Sequence, residues 1–294
     1  MCYKYFSFLL FLGFLNAQDL PPANWKNVDY AGDNQIYHMM DIYLPQRDQK
    51  TYPVVITIYG SAWRSNKNKA TNYIKKTLIK PLLNSGFAVV SINHRSSSDA
   101  IFPAQIHDVK AAIRFIRAHA KSYQFNTNFI GVTGSSSGGH LSAMAGTTSW
   151  NKSMEGEIGQ YLEFSSHVNA VVDWFGPTDF LIMDQCGSKL VHDAIDSPES
   201  QLIGGAIQDH PQKVLEANPL HYISKKTPPF LIIHGNKDKV VPSCQSEVLV
   251  KALEEKGIPS ELVLIEEGKH GPGVLVDQFT KKMGNFFLNQ YNKR

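Results

Sequence analysis

Residues 128–139 carry the strongest structural signal in the chain and read NFIGVTGSSSGG, from Asn128 to Gly139. Residues 128–133 are typical of a buried strand, and the sequence HLSAMA at 140–145 is compatible with a helix. The segment between them is Gly-x-Ser-x-Gly with Ser136 at its centre, the pattern of a strand–turn–helix nucleophile elbow. Bulky neighbours would clash across such a tight turn, so small residues are needed two positions before and after the serine. Ser136 is the candidate nucleophile, because Ser135 and Ser137 lack glycines in this frame.

Strand-like and helix-like segments alternate on both sides of this turn. Short apolar runs typical of buried parallel strands lie at 52–59, 87–92, 169–174, 230–234 and 261–265. Helical patterns cover about 70–84, 103–120, 243–256 and 274–288. This alternation predicts an α/β fold with a mostly parallel, twisted sheet and helices on both faces. Segments 25–30 and 39–44 predict an antiparallel hairpin, and 180–226 is interpreted as a small insertion over the carboxyl edge of the sheet.

A serine nucleophile needs a base and an orienting carboxylate, which follow it in this topology in the order acid, then histidine. Asp238 lies just past the predicted strand 230–234, and His270 lies just past 261–265 on a glycine-flanked loop. Both positions fall at the carboxyl edge of the sheet, where sites form. His234 lies within a strand end and is interpreted as a packing residue. Asp173 and Asp179 come one strand too early for the acid.

The loop after the first buried strand supplies candidate oxyanion-hole donors. Its sequence is Tyr59-Gly60-Ser61-Ala62-Trp63-Arg64. Esterases of this topology place backbone N–H donors there, and a further donor directly after the nucleophile. The candidate donors are therefore the amides of Ser61 or Ala62 together with that of Ser137. A plain β–α turn is the alternative interpretation.

Several ordered segments make the chain resemble one known family. Residues 59–64 are similar to the His-Gly-Gly-Ala-Trp-Arg loop of secreted α/β-hydrolases in the feruloyl and acetylxylan esterase group (BD-FAE-like). The other similar segments are Asn93-His94-Arg95, 102–105, Asp108, 111–114, 176–179, 197–200, 228–231, 234–246 and 268–270. Together they span nearly the whole chain after the N-terminal leader. The resemblance implies an α/β-hydrolase fold and a serine esterase.

The resemblance also implies a substrate class and marks three departures. It implies acetyl or feruloyl esters on xylan-type carbohydrates, hydrolysed without a cofactor or a metal. Tyr59 stands where the family has His, Ser61 where it has a second Gly, and His94 where Tyr is common. These departures affect the oxyanion loop and the preference for the acyl group. Tyr59, Trp63 and His94 are accordingly the candidates for lining the substrate pocket.

Other functions share parts of this pattern. A serine peptidase of the prolyl-oligopeptidase type has the same triad order, but such enzymes usually carry a propeller domain for which this chain has no room. A general short-chain carboxylesterase stays open, whereas a lipase would need a long apolar lid and 184–212 is mixed and polar. A catalytically inactive binding module would normally lack a triad member, and none is missing here.

The N-terminal 17 residues predict export. Lys4 precedes an uncharged run at 5–15, which Asn16 and the small Ala17 follow, the pattern of a cleaved secretory signal. The run is shorter than the ~20 residues of a membrane span. We expect a signal peptide at 1–17, a single catalytic domain at 18–294, and a secreted or periplasmic protein with no membrane partner after cleavage. In such a compartment Cys186 and Cys244 are disulfide candidates, with two reduced thiols as the alternative.

Composition narrows the remaining choices. The chain has 294 residues, 43% hydrophobic and 19% charged, with 3 Cys and a formal net charge of +3. These values exclude a disordered polymer and a disulfide scaffold. The small charge, without a Lys/Arg cluster, argues against nucleic acid as a partner. The expected partner is a small-molecule or oligosaccharide ester, and the oligomeric state is left open.

Overall fold

Eight strands form one sheet through the middle of the molecule in the computed structural model, which describes residues 20–294. The predicted signal peptide at 1–17 lies outside the described residues. The strands are β1 (Trp25–Asp29), β2 (Met39–Tyr43), β3 (Tyr52–Ile58), β4 (Ala88–Ile92), β5 (Phe125–Ser135), β6 (Ala170–Trp174), β7 (Phe230–Gly235) and β8 (Ser260–Ile265). Their order across the sheet is β1-β2-β4-β3-β5-β6-β7-β8.

The pairing confirms the predicted sheet. β1 pairs with β2, and β2 with β4, in antiparallel fashion, which gives the predicted N-terminal hairpin. All other neighbours are parallel. Gly134 on β5 is in register with Ile58 on β3 and Asp173 on β6. The carboxyl ends of β3, β5, β6 and β7 therefore meet at one edge.

Helices cover both faces of this sheet. They are α1 (Asn72–Ile74), α2 (Lys80–Asn84), α3 (Ala104–Ala118), α4 (Ser137–Thr147), α5 (Pro198–Ile203), α6 (Pro211–Ala217), α7 (Cys244–Glu255) and α8 (Asp277–Asn292). Short 3₁₀ helices lie at Ile36–His38, Lys152–Met154, Phe180–Cys186, Ile207–Asp209 and Pro219–Tyr222. The segment interpreted as an insertion, 180–226, thus consists of short helices and turns.

The helix predicted over 70–84 is not regular. A π-helical turn, Lys75–Ile79, separates α1 from α2, and the amide of Lys80 donates to the carbonyl of Lys75. Pro81 has no amide to donate to the carbonyl four residues earlier, so the α-helical hydrogen-bond pattern cannot run unchanged through this point. The C-terminal helix also begins later than predicted, at Asp277. Gly271 and Gly273 have positive φ there and form turns before the helix.

Alternating side chains of the strands build two cores. Val54, Ile56 and Ile58 of β3 face α3, α4 and α7, whereas Val55 faces the π turn, α2 and α8. The sheet is thus covered on both sides, as the continuous apolar runs predicted. Within residues 20–294 no helix is long and apolar enough to cross a membrane.

Candidate active site

Ser136 lies in the tight turn between β5 and α4. Its backbone has φ 55° and ψ −124°, a region that costs a non-glycine residue about 1–3 kcal/mol. A Cβ on Gly134 would lie 2.4 Å from the carbonyl oxygen of Gly138, and one on Gly138 would lie 2.2 Å from that of Ile58. No side chain fits at either position. The two glycines therefore allow the close approach that places Ser136 before the N-terminus of α4.

The structure brings the three predicted triad residues together across 134 residues of sequence. The Nδ1–H of His270 donates to Asp238 Oδ2 at 2.7 Å, and Ser136 Oγ lies 3.0 Å from His270 Nε2. A carboxylate can only accept, so it holds the proton of His270 on Nδ1. The Nε2 atom is then the acceptor for the hydroxyl proton of Ser136. This is the hydrogen-bond arrangement that activates a serine.

Asp238 is held as an anion. It is buried, and its Oδ1 accepts from the amides of Val240 at 2.8 Å and Val241 at 3.0 Å. Burial by itself raises the pKa of this carboxyl. The interactions with His234 and His270 and the amide of Val240 outweigh burial and lower the pKa below its usual range. Asp238 is therefore ionised at neutral pH.

Residues 238–241, the acid loop, are tied to the 180–226 segment. Cys186 and Cys244 form a disulfide bond, which joins this segment to the start of α7. The amide of Lys189 donates to the carbonyl of Lys239 at 2.9 Å, and His192 Nε2 lies 3.0 Å from the carbonyl of Val240. His234 supports the same loop from inside the sheet, since it is buried and its Nε2 lies 2.8 Å from the carbonyl of Val241.

The loop after β3 leaves one of its two candidate amides free. The amide of Ser61 donates to Ser137 Oγ at 2.9 Å and is therefore already satisfied. Among the described residues, the amides of Ala62 and Ser137 have no hydrogen-bond acceptor. Ala62 and Trp63 have φ of 53° and 54°, so the loop is held in a strained conformation. The pair available to an oxyanion is thus Ala62 with Ser137.

The prediction that Tyr59, Trp63 and His94 line the substrate pocket is wrong. All three are buried, with at most 1% of their surface exposed. Tyr59 stacks on His94 with ring centroids 4.9 Å apart, and its hydroxyl donates to the carbonyl of Ser65. Trp63 packs against His140 and Phe180. These side chains therefore pack in the core around the strained loop and do not face the substrate.

An open cleft of about 280 Å³ surrounds Ser136 and His270. Its lining residues are Gly60, Ser61, Ala62, Tyr73, Ser135, Ser136, Phe175, Val240, His270 and Gly271. Phe175 packs edge-on against His270 at 4.8 Å, and its position directly after β6 is a signal that sequence reasoning missed. Tyr73 and Val240 carry no signal of a site in the sequence. A separate cavity of about 810 Å³ between α2 and α8 is lined by neither histidine nor cysteine.

The described residues hold no candidate metal centre. Across 20–294, no three His, Cys, Asp or Glu side chains are grouped so that they could bind a metal ion. At the cleft itself, the groups positioned for chemistry are the Ser136–His270–Asp238 hydrogen-bond chain and the two neighbouring amides.

Several known proteins that are similar to this chain in sequence or structure are named esterases. Esterase LipC of Mycobacterium tuberculosis is 32% identical over 69% of this chain and 49% of its own length. A truncated carbohydrate esterase from gut microbiota is 44% identical, with a TM-score of 0.88 over 93% of this chain and 98% of that one. A bifunctional GH43-CE protein of Bacteroides eggerthii is 47% identical, with a TM-score of 0.85 over 90% of this chain and 38% of that one.

The chain spans about half the length of the curated relatives it matches. The family model described as BD-FAE matches residues 40–253, which include the strained loop, the nucleophile elbow and the acid loop. The fold and the family that the sequence predicted are both confirmed: this chain has the α/β-hydrolase fold and belongs to the BD-FAE family.

Proposed function

We propose that this protein is a serine esterase that removes acetyl groups from xylan-type carbohydrates. The observation that carries the proposal is the chain of hydrogen bonds from Ser136 through His270 to the ionised Asp238, beside two unpaired amides. A serine hydroxyl without a neighbouring base is a poor nucleophile, and a histidine accepts its proton efficiently only when its tautomer is fixed. Both needs are met here within one open cleft.

The reaction proceeds by acyl transfer in two steps. Ser136 Oγ attacks the ester carbonyl while its proton passes to His270 Nε2, and Asp238 stabilises the imidazolium. The amides of Ala62 and Ser137 hold the negative charge that develops on the carbonyl oxygen. His270 then gives the proton to the leaving alcohol, which leaves an acyl-Ser136 ester. Water attacks this ester with His270 again as base, and the acid and free Ser136 are released.

The size of the cleft is compatible with a short acyl group such as acetyl. Pockets that enclose a drug-sized ligand measure ~300–1,000 Å³, and this cleft of about 280 Å³ is also open to solvent. A cleft at the lower end of this range has room for the reacting carbonyl and a short acyl chain. The carbohydrate part of the proposal is supported by the similarity to carbohydrate esterase structures.

We also propose that the protein acts outside the cytoplasm, either secreted or periplasmic. The support is the sequence pattern at 1–17 and the disulfide between Cys186 and Cys244, a bond that persists in oxidising compartments. A polymeric carbohydrate substrate is consistent with such a location. Expression of the full chain, followed by N-terminal sequencing of the exported protein, tests this, and an intact Met1 on protein retained in the cytoplasm would contradict it.

Substitution of the proposed nucleophile tests the mechanism directly. Ser136→Ala should reduce kcat for p-nitrophenyl acetate and for acetylated xylo-oligosaccharides by about 10⁴-fold or more, as removal of a triad serine does elsewhere. The matched control is Ser135→Ala, in the neighbouring serine, which has no hydrogen bond to His270 and should keep activity. Substantial activity of Ser136→Ala, with loss of activity in Ser135→Ala, would show that Ser135 and not Ser136 is the nucleophile.

A further inference from the structure

Tyr73 presents an exposed aromatic ring at the rim of the cleft. It lies in α1, whose N-cap Thr71 accepts a hydrogen bond from the amide of Ile74. Ile74 is buried in the core, which anchors the helix, whereas 51% of the Tyr73 surface is exposed. The ring is thus held by a fixed backbone, and its exposure is not the result of a loose segment.

The hydroxyl of Tyr73 lies beside the backbone that follows His270. A Cβ on Gly271 would lie 3.1 Å from this hydroxyl oxygen. Gly271 has φ +91°, a conformation that glycine adopts without steric cost. No group in residues 20–294 forms a hydrogen bond with the hydroxyl. Tyr73 therefore borders the histidine side of the cleft with an unpaired polar group.

The reaction chemistry determines which part of an ester occupies that side. Ala62 and Ser137 hold the carbonyl oxygen, and His270 Nε2 must protonate the leaving oxygen, so the alcohol portion extends past His270. The cleft is open to solvent, so the alcohol portion of the substrate leaves it across its rim. Gly271 and Tyr73 line the cleft on the side of His270, so they form the rim that the alcohol portion crosses.

We propose that Tyr73 determines the specificity for the alcohol portion of the ester, as a platform on which the acylated pyranose ring lies. The aromatic face covers the apolar face of the sugar, and the free hydroxyl exchanges a hydrogen bond with a sugar hydroxyl. This inference rests on the serine esterase mechanism proposed above. It adds that selection acts on the sugar at the rim, where the neighbouring Val240 is also 38% exposed.

Two substrates with the same acyl group test the proposal. The ratio of kcat/KM for an acetylated xylo-oligosaccharide to that for ethyl acetate is measured for the wild type, Tyr73→Ala and Tyr73→Phe. Loss of an aromatic contact of this kind is worth up to about tenfold. Tyr73→Ala should lower kcat/KM for the acetylated xylo-oligosaccharide about tenfold, chiefly through KM, and leave kcat/KM for ethyl acetate nearly unchanged. Tyr73→Phe keeps the ring and should retain most of the ratio.

Controls separate this proposal from the mechanism and from misfolding. Trp150→Ala removes an aromatic ring of similar exposure, 56%, that does not line the cleft, and it should leave the ratio unchanged. Tyr73→Leu keeps an apolar contact without a flat ring. We expect it to lower the ratio of the two kcat/KM values while its thermal midpoint stays at that of the wild type, which shows that the variant is folded. An equal loss on both substrates, or an unchanged ratio in Tyr73→Ala, overturns the platform. Activity in Ser136→Ala instead contradicts the mechanism, whatever Tyr73 does.

Discussion

Two buried carboxylates lie at the carboxyl ends of neighbouring strands of this sheet, and their pKa values are shifted in opposite directions. Asp173 on β6 is fully buried, and its Oδ1 accepts one hydrogen bond, from the amide of Gly176 at 2.9 Å. Its Oδ2 has no hydrogen-bond partner among residues 20–294. Asp238, just after β7, is also buried, with 3% of its surface exposed, but it accepts from two amides and from His270.

The number of partners decides the charge of each carboxylate. Burial raises the pKa of Asp173 to about 6, because the Gly176 amide and the more distant His234 compensate only in part. For Asp238 the compensation exceeds the penalty of burial, and the pKa is lowered. Burial at the carboxyl edge therefore does not by itself make an orienting acid. A carboxylate becomes one where imidazole and amide donors converge on it.

The same substitution at both positions gives the largest test of this difference. Asp238→Asn should lower kcat for p-nitrophenyl acetate by about 10⁴-fold, because an amide no longer keeps the proton of His270 on Nδ1. Asp173→Asn is the matched control, and its kcat should stay close to that of the wild type. Measured kcat for both variants checks the assignment. The reverse result, with activity lost only in Asp173→Asn, would make Asp173 the acid.

Removal of the disulfide tests how far the acid loop depends on the 180–226 segment. The double variant Cys186→Ser/Cys244→Ser opens a link between residues 58 apart in sequence. We expect the free energy of unfolding to fall by about 2–4 kcal/mol. Thermal and urea unfolding of the mature protein measure this, with the wild type under reducing conditions as a comparison. An unchanged midpoint would show that the backbone hydrogen bonds to Lys239 and Val240 suffice to hold the loop.

The pH dependence of stability is the smallest and sharpest test. Since the pKa of Asp173 is about 6 in the folded protein and about 3.9 when unfolded, the folded state binds more protons between these values. The contribution of Asp173 to the free energy of unfolding therefore falls as the pH rises from about 3.9 to about 6. Asp173→Asn should match the wild type near pH 4 and exceed it at pH 8 by on the order of 2 kcal/mol. A difference that does not change with pH would contradict a buried, poorly solvated carboxylate.

Sequence reasoning reached the residues whose positions follow from strand ends and glycines. Ser136, Asp238 and His270 each lie directly after a predicted strand, and parallel strands bring such positions to one edge. The same reasoning was wrong for Tyr59, Trp63 and His94, because proximity to the site in sequence says nothing about the direction of a side chain. It also missed Tyr73, which a separate helix brings to the cleft and which no local pattern marks.

The sequence by itself determined the α/β architecture and the nucleophile elbow. Both depend on local physics: apolar runs of strand length, and glycines without which the turn around Ser136 would clash. Only the tertiary structure decided which oxyanion amide is free, which carboxylate is charged and which aromatic ring reaches the cleft. Those properties depend on partners far away in the chain, such as Ser137 for Ser61 and His270 for Asp238. Their distances are set only when the sheet and its loops have assembled.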